Sequence, residues 1–150
     1  MSSPILQGSV IIATFLTSAT IGGGLYEYLV VDPFWPKRPD LIQPYRGGIT
    51  RGRFWLPVHL SFEVVLILSL VLAWKLPSIR FWLLMALVSH ATTRIWSAFY
   101  FIPRALAFEK AAAVSEEAAR RWTMRSRFRF PIELLTAVLL FEALQATFKG

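Results

Sequence analysis

Four side chains in this chain have the types and the spacing to do chemistry together: His59 with Glu63, and His90 with Arg94. The members of each pair are four residues apart, which on an α-helix stacks them on one face. A histidine beside a carboxylate can accept a proton and pass it on. An arginine offers a rigid fork of donors to a substrate oxygen. Both pairs lie inside apolar segments, Trp55–Trp74 and Phe81–Ile102, each long enough to cross a bilayer. An ionisable group in such a segment is costly and is a functional-site candidate by default.

The elements that must position these groups follow from the pattern of apolar runs. Besides those two segments, Ile5–Val31 and Pro131–Phe148 are apolar over about the 20 residues a spanning helix needs. Pro57, Pro77, Pro103 and Pro131 fall near segment ends, where a missing amide donor does least harm. The chain is 55% hydrophobic and holds 12 Phe and 6 Trp, too apolar for a soluble bundle of this length. The expectation is one all-α domain over residues 1–150, an antiparallel up-down four-helix bundle integral to a membrane. Lys75–Arg80 is a tight hairpin connection. Asp32–Arg53, with four prolines, Gly47, Gly48 and Gly52, reads as an extended loop. In the segment 104–129, Ser115 before Glu116 and Glu117 predicts a helix start, followed by five arginines. That segment reads as a basic amphipathic surface helix with Trp122 at the lipid headgroups. In the first helix, Thr14, Ser18 and Gly22 recur every fourth residue, a stripe that predicts close helix–helix contact in lipid. Gly22–Gly24 could instead loosen the helix beside a ligand.

Charge sets an expected orientation. The two long connections carry twelve Lys and Arg against three on the opposite side. The positive-inside rule then puts both long loops in the cytoplasm and both termini outside, in a bacterial inner membrane if the source is prokaryotic. The same rule accounts for the net charge of +7 without a nucleic-acid partner, since no recognition module is visible. Met1–Gly8 has no Lys or Arg, so the first apolar stretch lacks the basic region of a signal peptide. Cysteine is absent, which excludes disulfides and thiolate chemistry.

Counted along each helix at about 1.5 Å per residue, Glu133, Glu27, His59, Arg94, Glu63 and His90 all fall about 5 to 18 Å from the cytoplasmic ends. Glu142, nine residues from Glu133, turns to the opposite face. A buried ion-pair network would account for the convergence. So would a pocket holding an apolar small molecule among Trp55, Trp96, Tyr100 and neighbouring aromatics, with Glu27, His90 and Glu133 completing its polar lining. In that pocket His59 is the candidate base, Glu63 its orienting partner, and Arg94 the contact to a substrate oxygen. Carboxylate-bridged metal bundles use Glu-x-x-His, whereas this chain has His-x-x-x-Glu once and a nearby arginine. No metal ligand is therefore assigned. A haem between His59 and His90 stays open as an alternative. So does a non-catalytic accessory subunit of a larger membrane complex, or a homo-oligomer, binding quinone, haem or pigment.

Gly22–Gly24 with Leu25-Tyr26-Glu27, then Trp55 and His59, then Thr93-Arg94 follow an order that resembles the anthrone oxygenase-like family of small four-helix membrane proteins. That resemblance implies oxidation of polycyclic phenolic substrates by molecular oxygen without metal or flavin. The basic segment 104–129 departs from the family pattern. With it, the sequence reading is of an oxygenase or isomerase acting on an apolar cyclic or quinone-like substrate.

Overall fold

The computed structural model describes residues 3–149, and among them the chain is helical without a strand. Four long helices form the frame: α1 (Pro4–Tyr26), α2 (Gly52–Leu72), α3 (Pro77–Trp96) and, after two shorter helices, α6 (Phe130–Lys149). The shorter pair, α4 (Ile102–Lys110) and α5 (Glu116–Ser126), lies between α3 and α6. Local chemistry explains the boundaries. Ser3 caps α1, its hydroxyl accepting from the Leu6 amide at 3.2 Å, with Pro4 at the first helical position. Pro77 opens α3 in the same way. Ser115 accepts from the Ala118 amide, and Glu116 and Glu117 fill the first turn of α5.

Two helices widen into π turns, over Glu27–Val31 at the end of α1 and Ser97–Phe101 at the end of α3. Each is followed, one residue later, by a proline, Pro33 or Pro103. A proline ring collides with the carbonyl four residues back in a regular helix. The wider turn relieves that conflict, and the amides of Asp32 and Ile102 bond five residues back to Glu27 and Ser97. The third helix therefore does not stop at Pro103 but runs on through the π turn into α4. Likewise α2 begins at Gly52, which leaves Pro57 inside it.

Helix α6 packs against α3 and α1, and α1 against α2, while α2 and α3 meet less extensively. Hydrogen bonds mark the order of contact. Ser9 meets Ser69 and Gln7 reaches the Thr147 carbonyl at one end, whereas Glu27 meets Trp55 and Ser97 meets Arg129 at the other. Ser89 and Thr136 join α3 to α6 between them. One core cluster fills the first end, with Leu6, Val10, Leu66, Leu83 and Leu140 fully buried. The outer faces are equally apolar: Ile5, Phe15, Leu60 and Val71 are exposed. Pro4–Val31, Gly52–Leu72 and the helical run Glu116–Lys149 are long and apolar enough to cross a membrane. The third long helix is not among them, because Arg80, His90 and Arg94 with several Ser and Thr lower its hydropathy.

The structure corrects three expectations, two in the connections and one in α1. Trp122 is not at a surface; it is 5% exposed and donates to the Phe101 carbonyl at 3.2 Å. With Trp35, Ile42, Phe101 and Ala119 it builds a second core, so 104–129 is not one surface helix but two helices folded into a cap. Asp32–Arg53 is not extended either. Its short 3₁₀ turns, Pro39–Ile42 and Pro44–Arg46, clasp the α4–α5 link through the buried Gln43, which donates to the Phe108 and Ala111 carbonyls at 2.9 Å each. Gly47 takes a left-handed φ of 83°, and a side chain on Gly48 would strike the Asp40 carbonyl. Finally, Ser18 and Gly22 lie on the exposed face of α1, so that stripe is not a packing seam. Gly23 makes the close approach instead: a Cβ there would lie 2.3 Å from the Phe54 ring.

Candidate functional site

Between the leucine-filled end and the cap lies a cavity of about 740 Å³. Both π turns face it, contributing Glu27, Tyr28, Ser97 and Phe101 to its wall. Such turns tend to occur at functional sites because they turn side chains out of helical register. Trp55, Leu56, Ile102, Leu106 and Trp122 make much of the wall apolar, and His59, Arg94, Glu27 and Glu133 converge on it. That combination, a largely apolar hollow with a few aimed polar groups, is the usual form of a small-molecule site.

Each polar group is held by a specific neighbour. Glu27 accepts from the Trp55 indole at 2.7 Å, and Trp55 in turn stacks on His59, ring centroids 5.3 Å apart and planes 17° from parallel. The π turn that carries Glu27 thus fixes the face His59 presents. The His59 Nδ1 is buried without a hydrogen-bond partner among the described residues. Arg94 is gripped from outside the cavity: its Nε donates to Glu63 at 3.0 Å, which leaves the two terminal nitrogens for other acceptors. Glu63 also lies 3.5 Å from His90 Nε2, and the His90 and Phe62 rings meet nearly perpendicular with centroids 4.7 Å apart.

The residues singled out from sequence therefore divide. Glu27, Trp55, His59, Arg94 and Glu133 line the cavity. Glu63 does not; it supports Arg94 and His90, and no hydrogen bond joins it to His59 among the described residues. His90 lines a smaller void next door, together with Glu133. Trp96 and Tyr100 stand behind the wall, both packed on Phe101. Tyr100 also stacks with Arg104 and accepts from Arg125. Among the described residues no three His, Asp or Glu side chains gather as a metal site would require.

Several site residues had no helical-face signal to reveal them. Arg129 borders the cavity, donates to Ser97 at 2.9 Å and lies over the Phe101 ring at 4.3 Å. Arg51 is buried, paired with Glu109 at 3.4 Å and set against the rings of Trp35 and Trp122. Asp32 accepts from the Trp35 indole at 3.1 Å. Burial drives its carboxyl up to about 6, against the pull of that hydrogen bond. The only sequence hint to these three was their place in the charged connections, which looked like solvated loops. No family model, no curated protein and no solved structure matches the chain.

Proposed function

We propose that this chain is an integral membrane enzyme of oxygenase or isomerase type, acting on an apolar cyclic or quinone-like molecule bound in the cavity. Its four long helices form an antiparallel bundle within the bilayer, a reading supported by three apolar helices whose outer faces are also apolar. The cap and both long loops lie in the cytoplasm and the termini outside, supported by the twelve-to-three distribution of basic residues. Membrane lipid is its solvent and the source of its substrate. The order of motifs resembling the anthrone oxygenase-like family points to the same substrate class.

One observation carries the catalytic reading: His59 and Arg94 border the same apolar hollow, each held by a partner that leaves it free to act. His59 removes a proton from an acidic C–H or O–H of the ring system. Arg94 hydrogen-bonds the oxygen on which the electron pair settles. Isomerisation returns the proton to another carbon; in oxygenation the carbanion bonds to molecular oxygen, and the resulting hydroperoxide loses water to leave a carbonyl at that carbon. Glu63 serves as the positioning residue for Arg94, and Glu27 with Trp55 positions His59.

Binding of an anthrone and of a naphthoquinone to the protein in lipid nanodiscs, followed by tryptophan quenching, tests this reading. Wild type binds, and Arg94→Met combined with Glu63→Gln stays folded and does not. His59→Gln binds but shows no turnover, because most of the side-chain volume remains and the base is gone. A reporter fused after Gly150 is exported; a cytoplasmic reporter overturns the orientation. A second reading, an accessory subunit, draws on the Glu63–Arg94 pair. Its side chains are 37% and 31% exposed on the outer seam of α2 and α3, where a partner helix could cover them. Full binding and turnover in both variants would favour that reading.

A further inference from the structure

Beside the large cavity is a void of about 10 Å³ bordered by Thr17, Thr20, Phe62, His90, Glu133 and Thr136. About 10–15 Å³, measured as the room open to a water's centre, is what one water needs, together with two to four polar partners. The partners are present. Of the five Ser and Thr hydroxyls in α1, those of Ser9, Thr14, Ser18 and Thr20 donate to carbonyls of the preceding turn. Thr17 does not: its Oγ1 is buried with no partner among the described residues, and the residue is 4% exposed. His90, 7% exposed, turns its Nε2 toward Glu63 at 3.5 Å while its ring borders the void. Thr136 has one proton to give, to the Ile132 carbonyl at 3.0 Å or to the Ser89 hydroxyl at 2.9 Å, and keeps a lone pair free. Glu133 borders both this void and the large cavity.

We infer that the void binds a single ordered water joining Thr17 Oγ1, the Glu133 carboxyl and the His90 imidazole, and that this water links the large cavity to the Glu63–Arg94 pair. An orphaned buried hydroxyl beside a polar hollow of matching size is otherwise expensive, because it loses its water on folding and regains nothing. The link completes a path for protons. A proton leaves Glu133 for the water as the water gives one of its own to the Nδ1 of His90, and Nε2 releases its own proton to Glu63. No charge accumulates on the water, and the reverse direction balances equally. The charged and titratable groups around the path are Glu63, Arg94, His59, Arg129 and Glu27. Proton supply to or from His59 chemistry rests on the function proposed above; the bound water does not.

Infrared spectra of the protein in nanodiscs, recorded in ordinary and heavy-oxygen water, test the inference without any ligand. Wild type should show an isotope-shifted O–H stretch from a buried water. Thr17→Ser should keep that band and Thr17→Val should lose it. The Glu133 carbonyl stretch, identified by its loss in Glu133→Gln, should move in Thr17→Val only. Identical spectra for wild type and Thr17→Val would overturn the inference. If Thr17→Val does not fold, a wild-type crystal structure decides: density between Thr17, His90 and Glu133 supports the water. A dry void with Thr17 bonded to the Ala13 carbonyl refutes it. A protein that holds the water yet binds no anthrone or naphthoquinone keeps this inference and loses the proposed function. One that binds ligand across a dry void loses the inference alone.

Discussion

Ser9 and Ser69 meet at 2.9 Å in an end of the bundle otherwise filled by Leu6, Leu66, Leu83 and Leu140. At the other end Glu27 and Trp55 meet at 2.7 Å beside a cavity of about 740 Å³. The first end uses small hydroxyls that bond mostly to their own helix, such as Thr14 to the Val10 carbonyl and Ser69 to the Val65 carbonyl. Nothing there requires a particular partner, and the leucines close the space. The second end uses long polar side chains reaching between elements, and both of its helices leave α-helical register just where they meet the hollow. Tight packing and an open, polar hollow are incompatible in one layer. The chain separates them along the helix axis and closes the open end with a second aromatic core.

The largest test of that division removes one side chain from each core. Leu83→Ala should lower bundle stability by about 2–5 kcal/mol, because a fully buried leucine in a packed layer leaves a cavity. Unfolding in mixed detergent micelles measures it. Trp122→Ala should act locally. It frees the Phe101 carbonyl and the Trp35 face, so protease should cut between residues 32 and 51 while the bundle midpoint moves less. Equal losses of bundle stability would show that the two cores unfold as one.

Next in size is the charge pair on the outer seam. Arg94→Met alone leaves Glu63 facing only His90, at about 1–3 kcal/mol for a half-exposed site. Adding Glu63→Gln should recover most of that loss, since an unpaired charge in apolar surroundings is the main cost. A double variant no more stable than Arg94→Met would mean that Arg94 packing, not charge balance, holds α2 to α3.

How far these two ends could be read from sequence differs for a physical reason. The four long helices announce themselves through continuous apolar runs, and the Ser115 cap through its side-chain chemistry. Within the helices, a spacing of four residues stacks His90 with Arg94 and His59 with Glu63 on their own faces. Which of these groups touch depends on how α2 turns against α3. Rotation of α2 against α3 gives Glu63 to Arg94, a choice no spacing within one helix encodes, whereas Trp55 and His59, four residues apart on α2, stack along one face of it. The cap was harder still. Trp35, Gln43 and Trp122 are scattered among prolines and arginines, and long-range contacts alone make them a core. Pro103 was legible as a helix end and Pro33 as part of the loop after the first helix, but the π turns that carry each helix to its proline depend on i to i+5 bonds that sequence periodicity does not show.

Asp32 offers a pH test confined to the cap. Its folded carboxyl sits near 6 against 3.8 for the free group, raised chiefly by burial. A raised folded value means the native state binds the extra proton. The contribution is fully present below 3.8 and is lost as pH rises through about 6. Amide exchange in the 32–51 loop should therefore quicken across that window. Asp32→Asn keeps an acceptor for the Trp35 indole and should flatten this part of the profile. An unchanged profile in Asp32→Asn would place the titration on another group.

The smallest and sharpest comparison lies between two neighbouring glycines of α1, at the boundary of the two ends. A Cβ on Gly22 meets nothing within 4 Å, whereas one on Gly23 would lie 2.3 Å from Phe54 Cε1 and 3.3 Å from Trp55 Cη2. Alanine lowers the backbone entropy lost on forming a helix, so Gly22→Ala should stabilise the protein by about 0.5–1 kcal/mol. The same gain is available at Gly23, but there the methyl must push the Phe54 ring aside and press on the indole that stacks with His59. Gly23→Ala should therefore be neutral or destabilising, and should weaken ligand binding through Trp55 while Gly22→Ala leaves it unchanged. Thermal midpoints and the tryptophan-quenching titration of both variants measure this. Equal stabilisation with unaltered binding would mean that the Phe54 and Trp55 rings yield freely and that α1 does not position His59 through them.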